Sequence, residues 1–515
     1  MLNRKNKKLI FYVVVIFSIV IMIFLIFLKF NKGFHNNNKQ IDSNSESEIN
    51  QSSVLLAMVT KNGKQGFIDV NGKEAIPCIY HTEGFNDEGY AIVRKNGMYG
   101  IIDANGEEVV KTIYEEISWK SPNDYLRVKR DGKYGYADIN GNEAIPCVYN
   151  DASLYNEGFA SVCKGEKWGY INIYGYETAP FIYDFANDYH EGYASVCLND
   201  RWGFIDTDGK EIIQCMYITA FNFSEGYAPV QKSDSKWGYL NRYGEVIIPF
   251  TYDFAFVFTN GFARVEKGYD IDAKVGYIDK TGKEIIPCIY DTDFHWHYFE
   301  LLDFDNEIMG VYRNSKFGFI DTKGNELIPC VYDDGKEFSD GYAAVSKKGK
   351  WGFIDSVGKE KISFSFDDAN SFNEGYAPVK QRNKWGYIDY FGNDTIPYIY
   401  GFAGKFNQGI ARVSINDKYG YIDYNGKEVV PIAYDSIGSF SEGICKIENN
   451  HEWGFISIQG ELKVPLIYDN AKDFNYGYAA VQKSGKWGYI DITGKQVISC
   501  IYESADNFCL IQRAY

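Results

Sequence analysis

The sequence predicts an all-β tandem repeat array, and three observations lead to this fold class. An aromatic residue followed by glycine recurs along the chain, with the repeated glycines 34 to 42 residues apart. A fixed period of this length is typical of repeat proteins. In every copy a second glycine follows six residues after the first. Aromatic residues make up 17% of the chain, which favours strands because these side chains pack well on a pleated surface.

The repeat has thirteen copies, most of them 34 residues long, and each is numbered by its first glycine. These glycines are Gly66, Gly100, Gly135, Gly169, Gly203, Gly238, Gly276, Gly318, Gly352, Gly386, Gly420, Gly454 and Gly488. One copy cannot bury its own hydrophobic side chains, so neighbouring copies are expected to share a core. Thirteen copies exceed the roughly four to eight blades of one closed propeller, so an open, superhelical solenoid is predicted. A propeller-like closure and two sub-arrays divided at insertions within 239–317 are the alternatives.

Each copy is predicted to contain three short antiparallel strands. Residues 193–197 are typical of the first strand, 201–206 of the second and 284–290 of the third. An Asp-x-x-Gly motif, such as residues 69–72, turns the chain between the second and third strands. The Asp accepts backbone hydrogen bonds and the Gly adopts a positive φ, so this turn explains the repeated Asp better than calcium binding does. A loop that could hold a helical turn leads to the next copy.

Other repeated positions refine the third strand and the core. The glycine within the second strand is predicted to leave space for a neighbouring backbone or ring, with the Tyr found fourteen residues later in twelve copies as the candidate ring. A Pro eleven residues after the glycine in nine copies predicts a bulge or an edge. Six Cys occupy a position that is Phe, Tyr, Leu, Ile or Thr in other copies. Buried thiols are therefore predicted, with disulfides between neighbouring copies as the alternative.

The N-terminus is predicted to anchor the protein in a membrane. Residues 9–28 are apolar, contain no charge, Gly or Pro, and are long enough to cross a bilayer as a helix. Residues 1–8 contain four basic residues, so this short arm is expected in the cytoplasm. Residues 29–53 are a polar, flexible linker and 54–515 form the repeat domain. A cleaved signal peptide is the alternative, but the small-residue cleavage pattern is missing.

Charge and motif content exclude several classes of function. The net charge is −16, with 53 basic and 69 acidic residues, and four of the basic residues precede the apolar segment. A nucleic-acid-binding protein needs a basic surface, so no nucleic-acid partner is predicted. The sequence contains no phosphate-binding loop, nucleophile elbow or HExxH motif, and its carboxylates lie mostly at turns. The protein is therefore predicted not to be an enzyme and to need no cofactor.

The recurring block (Lys)-Trp/Tyr-Gly-Tyr/Phe-Ile-Asp-x-x-Gly-Lys-Glu resembles the WG-repeat family, also called KWG repeats, over about 54–514. The resemblance implies a tandem β-repeat, often in bacterial proteins that are secreted or attached to a membrane, and no shared enzymatic activity. Gln65 and Val275 depart from the pattern where Trp or Tyr is expected, and Lys111 and Thr112 break the Ile-Pro-Cys block. A looser similarity to choline-binding cell-wall repeats is an analogy, because their period is shorter.

Two groups of residues are candidates for ligand binding. A row of tryptophans precedes the repeated glycine, at Trp168, Trp202, Trp237, Trp351, Trp385, Trp453 and Trp487. These rings either pack between copies or form an exposed ladder that stacks on sugars or captures peptide side chains. His295 and His297 are a weak metal or ligand candidate in the longest interval, and an exposed loop without a ligand is the simpler interpretation.

Together these features predict a non-enzymatic, single-pass membrane protein whose repeat domain lies outside the cytoplasm. The predicted role is binding of a protein or of a glycan of the cell envelope through an extended surface. A purely structural scaffold or spacer of the cell envelope is the alternative.

Overall fold

The repeated sequence unit folds as a four-stranded antiparallel sheet in a computed structural model that describes residues 53–119, 125–233, 235–269, 272–291 and 308–513. In ten copies the order within the sheet is a short linker strand and then the first, second and third strands. The first two copies share one eight-stranded sheet, and the eighth copy has three strands among the described residues. For example, Phe185–Ala186 pairs with Tyr193–Leu198, which pairs with Arg201–Asp206, which pairs with Glu211–Tyr217. The three predicted strands are confirmed, and the linker strand is an additional strand inside the predicted loop. The described ranges contain no α-helix.

The first strands of the thirteen copies are Ser53–Lys61, Tyr90–Lys95, Leu126–Arg130, Phe159–Lys164, Tyr193–Leu198, Tyr227–Gln231, Phe262–Lys267, Ile308–Arg313, Tyr342–Lys347, Ala377–Gln381, Ile410–Ile415, Ile444–Asn449 and Tyr478–Lys483. The second strands are Lys64–Ile68, Met98–Asp103, Lys133–Ala137, Lys167–Asn172, Arg201–Asp206, Trp237–Asn241, Lys274–Asp279, Lys316–Asp321, Lys350–Asp355, Lys384–Ile388, Lys418–Asp423, Glu452–Ser457 and Lys486–Asp491. The third strands are Glu74–Thr82, Glu108–Tyr114, Glu143–Tyr149, Glu177–Tyr183, Glu211–Tyr217, Val246–Tyr252, Glu284–Asp291, Glu326–Tyr332, Glu360–Phe366, Asp394–Tyr400, Glu428–Tyr434, Leu462–Tyr468 and Gln496–Tyr502. The linker strands are Glu116–Ser118, Asp151–Ala152, Phe185–Ala186, Thr219–Ala220, Phe254–Ala255, Asp334–Gly335, Asp368–Ala369, Phe402–Ala403, Ser436–Ile437, Asn470–Ala471 and Ser504–Ala505, and a final strand is Cys509–Gln512.

The Asp-x-x-Gly motif forms the predicted turn. In the first copy, the Asp69 side chain accepts hydrogen bonds from the backbone N–H groups of Asn71 and Lys73, both at 2.9 Å. The N–H of Gly72 donates to the carbonyl of Asp69, and Gly72 has a φ of +78°. An L side chain is strained at such a φ, which is why glycine recurs at this position.

The glycine within the second strand leaves space for a backbone bulge rather than for the predicted Tyr ring. A Cβ placed on Gly488 would lie 2.5 Å from the carbonyl oxygen of Ile498 and 2.7 Å from the backbone nitrogen of Cys500. Trp487 pairs with Tyr502 and Tyr489 pairs with Ile498, so three residues of the third strand lie opposite one glycine. The repeated Tyr therefore lies opposite the aromatic residue before the glycine, and the bulge predicted from the repeated Pro is confirmed.

Each hydrophobic core lies between two neighbouring copies. One such core joins Tyr387 and Tyr400 of one copy to Phe406 in the linker and to Val413 and Ile422 of the next copy. The rings of Tyr387 and Phe406 lie 4.9 Å apart, and the Tyr387 hydroxyl donates to a linker carbonyl at 2.7 Å. The predicted dependence of each copy on its neighbours is therefore built into the core.

The two ends of the repeat region meet, which corrects the expected open array. The linker strand Ser504–Ala505, which follows the last copy, pairs with the first strand of the first copy, with Ala505 opposite Val59. The backbone N–H of Glu503 also donates to the carbonyl of Thr60 at 2.8 Å. Each sheet remains open, with two edges. The contacts between neighbours nevertheless form a closed cycle, as in the propeller-like alternative, because the last copy supplies the strand that the first copy otherwise lacks.

The core at this closing junction has the same composition as the others. Ala57 and Val59 of the first copy pack with Tyr489 of the last copy and with Phe508, which follows it. Tyr489 and Phe508 rings lie 4.8 Å apart, close to the spacing at an internal junction. Shared burial of apolar surface therefore stabilises the contact between the chain ends as it stabilises contacts between consecutive copies.

Several predictions fall outside the described residues. They are the cytoplasmic arm 1–8, the membrane segment 9–28, nearly all of the linker 29–53, and the histidines at 295 and 297. Part of the predicted insertions within 239–317 is also outside, at residues 270–271 and 292–307. In the part of the chain that the structure does describe, no helix has the length and hydrophobicity needed to cross a bilayer.

Candidate functional site

The tryptophan row lies at the margins of the cores that neighbouring copies share. Trp237 is buried, with 3% of its surface exposed, and the other six are half-buried. Lys336 lies 5.3 Å from the ring centre of Trp351, and Lys472 lies 6.0 Å from that of Trp487. The rings thus contribute to packing and keep part of their surface accessible, so their role in ligand binding stays a prediction.

The described residues do not bring together a cluster that could hold a metal ion. Within these ranges no group of three or more His, Cys, Asp or Glu side chains has the necessary arrangement. All ten Cys are free thiols, which agrees with the predicted thiols rather than disulfides. Of the six Cys at the repeated position, Cys288 is buried as predicted and the other five are half-buried, so the prediction of burial is only partly confirmed. Cys509 is exposed, whereas burial raises the pKa of the Cys288 thiol to about 12. Such a thiol stays protonated and unreactive near neutral pH.

The junction between the first and second copies differs from the others by one residue. At a regular junction, Tyr149 ends the third strand and Ala152, three residues later, pairs with Val162 of the next copy. At the first junction, the residue that corresponds to Ala152 is Thr82, which pairs with Val93 of the second copy. Thr82 lies only two residues after Tyr80. The chain therefore continues as one strand, Glu74–Thr82, and joins the sheets of the first two copies. The segment from this pairing residue to Gly89 is one residue longer than at the regular junction, so the length of the repeat is unchanged. The period of the sequence therefore does not reveal the shorter connection.

Gln65 adapts the first copy to this shorter connection. It occupies the position of the tryptophan row, and its side-chain oxygen accepts a hydrogen bond from the backbone N–H of Thr82 at 2.7 Å. The Thr82 hydroxyl donates to the carbonyl of Ile92 at 2.8 Å. An indole ring at this position has no acceptor for the Thr82 N–H, which accounts for the departure from Trp.

A cavity of about 760 Å³ lies at this first junction. Its volume is within the range of about 300–1,000 Å³ that is typical of small-molecule sites. The aromatic residues in its lining are Phe85, Tyr90, Tyr99 and Trp119. Its polar and charged lining residues include Gln65, His81, Glu83, Asn86, Glu88 and Arg94. We call this cavity, with these residues, the junction cavity.

The aromatic rings of the junction cavity are held in place by contacts with one another and with the core. Trp119 lies edge-on to Tyr90, with ring centres 5.4 Å apart. Phe85 packs against the buried ring of Phe67 at 4.7 Å. The indole N–H of Trp119 is buried and has no hydrogen-bond partner among the described residues. The cavity therefore has an aromatic wall, and no group in the described ranges accepts a hydrogen bond from the Trp119 indole.

The polar groups of the junction cavity are only partly used by the protein. The Arg94 guanidinium donates through Nε to the carbonyl of Gly97 at 3.2 Å and lies 5.4 Å from the ring centre of Tyr99. The Asn86 side-chain oxygen accepts the N–H of Tyr90 at 2.9 Å. These contacts involve one nitrogen of Arg94 and only the oxygen of Asn86. Each side chain therefore keeps a further nitrogen that can donate to a ligand.

The sequence pattern identified Gln65 but missed the junction cavity. The available signal was Glu83, which stands where eight copies have a buried or half-buried Ala in the linker strand. A carboxylate at an apolar position of a repeat indicates a local change of structure. The cavity itself depends on residues from both copies, which no single repeat displays.

Comparisons with known proteins identify the repeat and little else. No curated protein matches the chain. Among solved structures, the chain is similar to the computationally designed Ika8 protein, with 14% identity over 52% of this chain and 94% of that chain and a TM-score of 0.25. A eukaryotic initiation factor matches with 11% identity over 66% and 95% and a TM-score of 0.29. The extracellular domain described for a hybrid two-component system of B. thetaiotaomicron matches with 8% identity over 86% and 76% and a TM-score of 0.26.

Likenesses at such TM-scores establish no common fold, so the family match carries the identification. The family model described as the WG containing repeat matches thirteen segments: 66–99, 99–134, 134–168, 168–202, 202–237, 237–269, 276–292, 317–351, 351–385, 385–419, 419–450, 453–487 and 487–508. These segments span most of the chain, and a typical one runs from the second strand of one copy to the first strand of the next. The protein therefore belongs to the WG containing repeat family.

Proposed function

We propose that this protein is a non-enzymatic binding module that is anchored in a membrane and displays its repeat domain outside the cytoplasm. Residues 9–28 are the proposed membrane anchor, and the basic arm 1–8 is proposed to stay in the cytoplasm. The proposed ligand is a protein or a glycan of the cell envelope. The observation that carries the proposal is the junction cavity, because a preformed pocket with aromatic and polar lining is the usual form of a binding site.

The closed cycle of copies supports a binding role. A first copy without a partner would expose the apolar side chains of Ala57 and Val59, which the last copy covers. The closure fixes the position of the first copy, and with it one wall of the junction cavity, through Gln65. A pocket held by a rigid framework loses less conformational entropy when a ligand binds.

The binding role is tested with the full-length protein, purified in detergent micelles and applied to isolated cell-envelope material and to a glycan array. We expect retention by at least one of these materials. The variant Gln65→Trp places the bulkier residue usual at this position in the lining, which narrows the junction cavity, and should reduce retention about tenfold or more. The matched control is Tyr174→Ala, which removes a ring that is 73% exposed and lies outside the cavity. A protein that is retained nowhere would contradict the binding role and favour the structural scaffold.

The proposed topology has an independent test in the exposed thiol of Cys509. A maleimide that cannot cross membranes is added to intact spheroplasts that express the full-length protein. If the repeat domain is outside the cytoplasm, the wild type is labelled and Cys509→Ser is labelled much less, because the other Cys are buried or half-buried. Labelling that appears only after the membrane is permeabilised would show that the proposed orientation is wrong.

A further inference from the structure

The junction cavity combines ring faces with hydrogen-bonding groups of both polarities. All four aromatic rings of its wall are half-buried, and two of them, Tyr90 and Trp119, lie edge-on to each other. Aromatic faces in binding sites pack on the apolar face of a ligand, and Tyr and Trp do so without losing their polar edge. The lining therefore favours a ligand with at least one flat apolar face.

The charges of the lining restrict the ligand further. Glu83 and Glu88 are acidic and Arg94 is basic, so the cavity presents both signs within one small volume. An anionic ligand meets two carboxylates, and a cationic ligand meets the guanidinium. A neutral ligand that both donates and accepts hydrogen bonds can use all three groups. Sugar hydroxyls have this property, because each one donates and accepts.

A purely aromatic ligand suits the same site poorly. The side chain of a Phe or Trp residue in a peptide can stack on the rings of Tyr99 and Trp119. It offers nothing to the carboxylates, and burying polar groups without partners costs about 1–3 kcal/mol for each group. The mixed lining thus discriminates against a ligand that has only an apolar face.

We infer that the junction cavity binds a neutral sugar ring, with its apolar face against Tyr99 or Trp119 and its hydroxyls hydrogen-bonded to Glu83, Glu88 and Arg94. The inference rests on the proposed binding function and adds the chemical class of the ligand and the place where it binds. It assigns specificity to the first junction, whereas the tryptophan row of the other copies mainly packs. Only this junction, among the described ones, combines the shortened connection with Gln65.

The test uses the full-length protein in detergent micelles and saturation-transfer NMR with four probes. The neutral sugars are methyl β-glucopyranoside and methyl N-acetyl-β-glucosaminide. Glucose 6-phosphate is the anionic comparison and N-acetyltryptophanamide is the aromatic one. We expect saturation transfer to at least one neutral sugar, strongest at the hydrogens of its apolar face, and much weaker transfer to the other two probes.

Two variants of different kinds locate the binding. Gln65→Trp narrows the cavity with a bulkier side chain, and Arg94→Ala removes an exposed guanidinium whose contacts among the described residues are with the Gly97 carbonyl and the Tyr99 ring. Arg94→Ala should weaken sugar binding about tenfold or more, the loss expected when a hydrogen bond to a charged group is removed. Gln65→Trp should weaken it by a similar factor, because the indole occupies space that the sugar needs. Tyr174→Ala should bind as the wild type does. Circular dichroism of each variant confirms that the strands are intact.

The outcomes separate the inference from the proposed function. If neither sugar binds, or if both cavity variants bind sugar as the wild type does, the inference is wrong. Retention on envelope material that persists in those cases leaves the binding module standing with a different ligand or site. Preferential binding of N-acetyltryptophanamide points to a peptide ligand instead and also overturns the inference.

Discussion

The first junction and the junction between the ninth and tenth copies use the same positions in two ways. At the later junction, Ala369 lies three residues after the buried Phe366 and pairs with Val379, so the chain leaves one sheet before it enters the next. At the first junction, the corresponding step from Tyr80 takes two residues and the strand continues without a break.

Side-chain partners change together with the connection. At the later junction, the ammonium group of Lys350 lies 2.5 Å from a carboxylate oxygen of Asp367. At the first junction, the corresponding residues are Lys64 and His81, whose nitrogen atoms lie 3.0 Å apart. A change of one residue in a linker thus exchanges a packed, ion-paired connection for an open one. A cavity can open in this way between two copies, although the connecting strand then joins their two sheets into one.

The largest expected effect is the loss of stability when a buried ring is removed from the closing junction. This junction should contribute as much to stability as a junction between consecutive copies does. Phe508 there and Phe474 at the preceding junction are both buried against the aromatic ring after the repeated glycine. Replacing either by Ala should lower the free energy of unfolding by about 3–5 kcal/mol, because a large buried ring leaves a cavity. Urea denaturation of the full-length variants measures both. If the ends of the array did not pack, Phe508→Ala would be nearly silent while Phe474→Ala would not.

Replacing the repeated glycine of the second strand by alanine tests whether the first copy differs from the other copies only in its linker. An added Cβ would lie 2.5 Å from the Ile76 carbonyl oxygen at Gly66, and 2.7 Å from that of Ile396 at Gly386. Both substitutions should destabilise the protein by about 1–3 kcal/mol, since the third strand must shift. Thermal unfolding, followed by circular dichroism, compares the two. A much smaller cost for Gly66→Ala would mean that the bulge of the first copy is also altered.

Gln65→Met tests the role of the carboxamide in the shortened connection. The substitution keeps a similar shape and removes the acceptor of the Thr82 N–H, so a cost of about 1 kcal/mol is expected. Faster exchange of the Thr82 amide hydrogen, measured by hydrogen–deuterium exchange, is the specific readout. An unchanged exchange rate at Thr82 would show that the Gln65 hydrogen bond does not hold the connection. The control is Lys384→Met, a substitution on the corresponding strand of the tenth copy. It should leave the exchange rate of the Thr82 amide unchanged.

The smallest expected effect is the pH dependence of the stability that the Lys350–Asp367 ion pair contributes. The first junction lacks this ion pair. The hydrogen bond from Lys350 lowers the pKa of the exposed Asp367 carboxyl. A lowered pKa in the folded state means that the contribution to stability is present above the unfolded-state pKa of about 3.9 and is lost as the pH falls through the folded-state value. The difference in unfolding midpoint between the wild type and Asp367→Asn should therefore shrink from pH 6 to pH 3. A difference that stays constant over this range would count against the pair.

Much of each sheet could be predicted from local patterns. The Asp69 turn with its glycine, the bulge at the repeated Pro and the three longer strands all follow from residues within about 15 positions of one another. The ring proposed to cover the second-strand glycine was wrong, because Tyr502 pairs with Trp487 and the backbone around Ser499 approaches Gly488 instead. Period-two alternation assigns faces of a strand but does not show which atoms of the neighbouring strand come closest.

The amino-acid sequence by itself determined the repeat, its strands, its turns and its family, because each depends on short-range spacing that thirteen copies display. The tertiary structure alone decided that the last copy meets the first, that two residues of the linker form a strand, and that a cavity opens beside Gln65. These features arise where segments distant in the chain, or belonging to different copies, come into contact. Their free energy depends on packing across a junction, which no periodic pattern within one copy records.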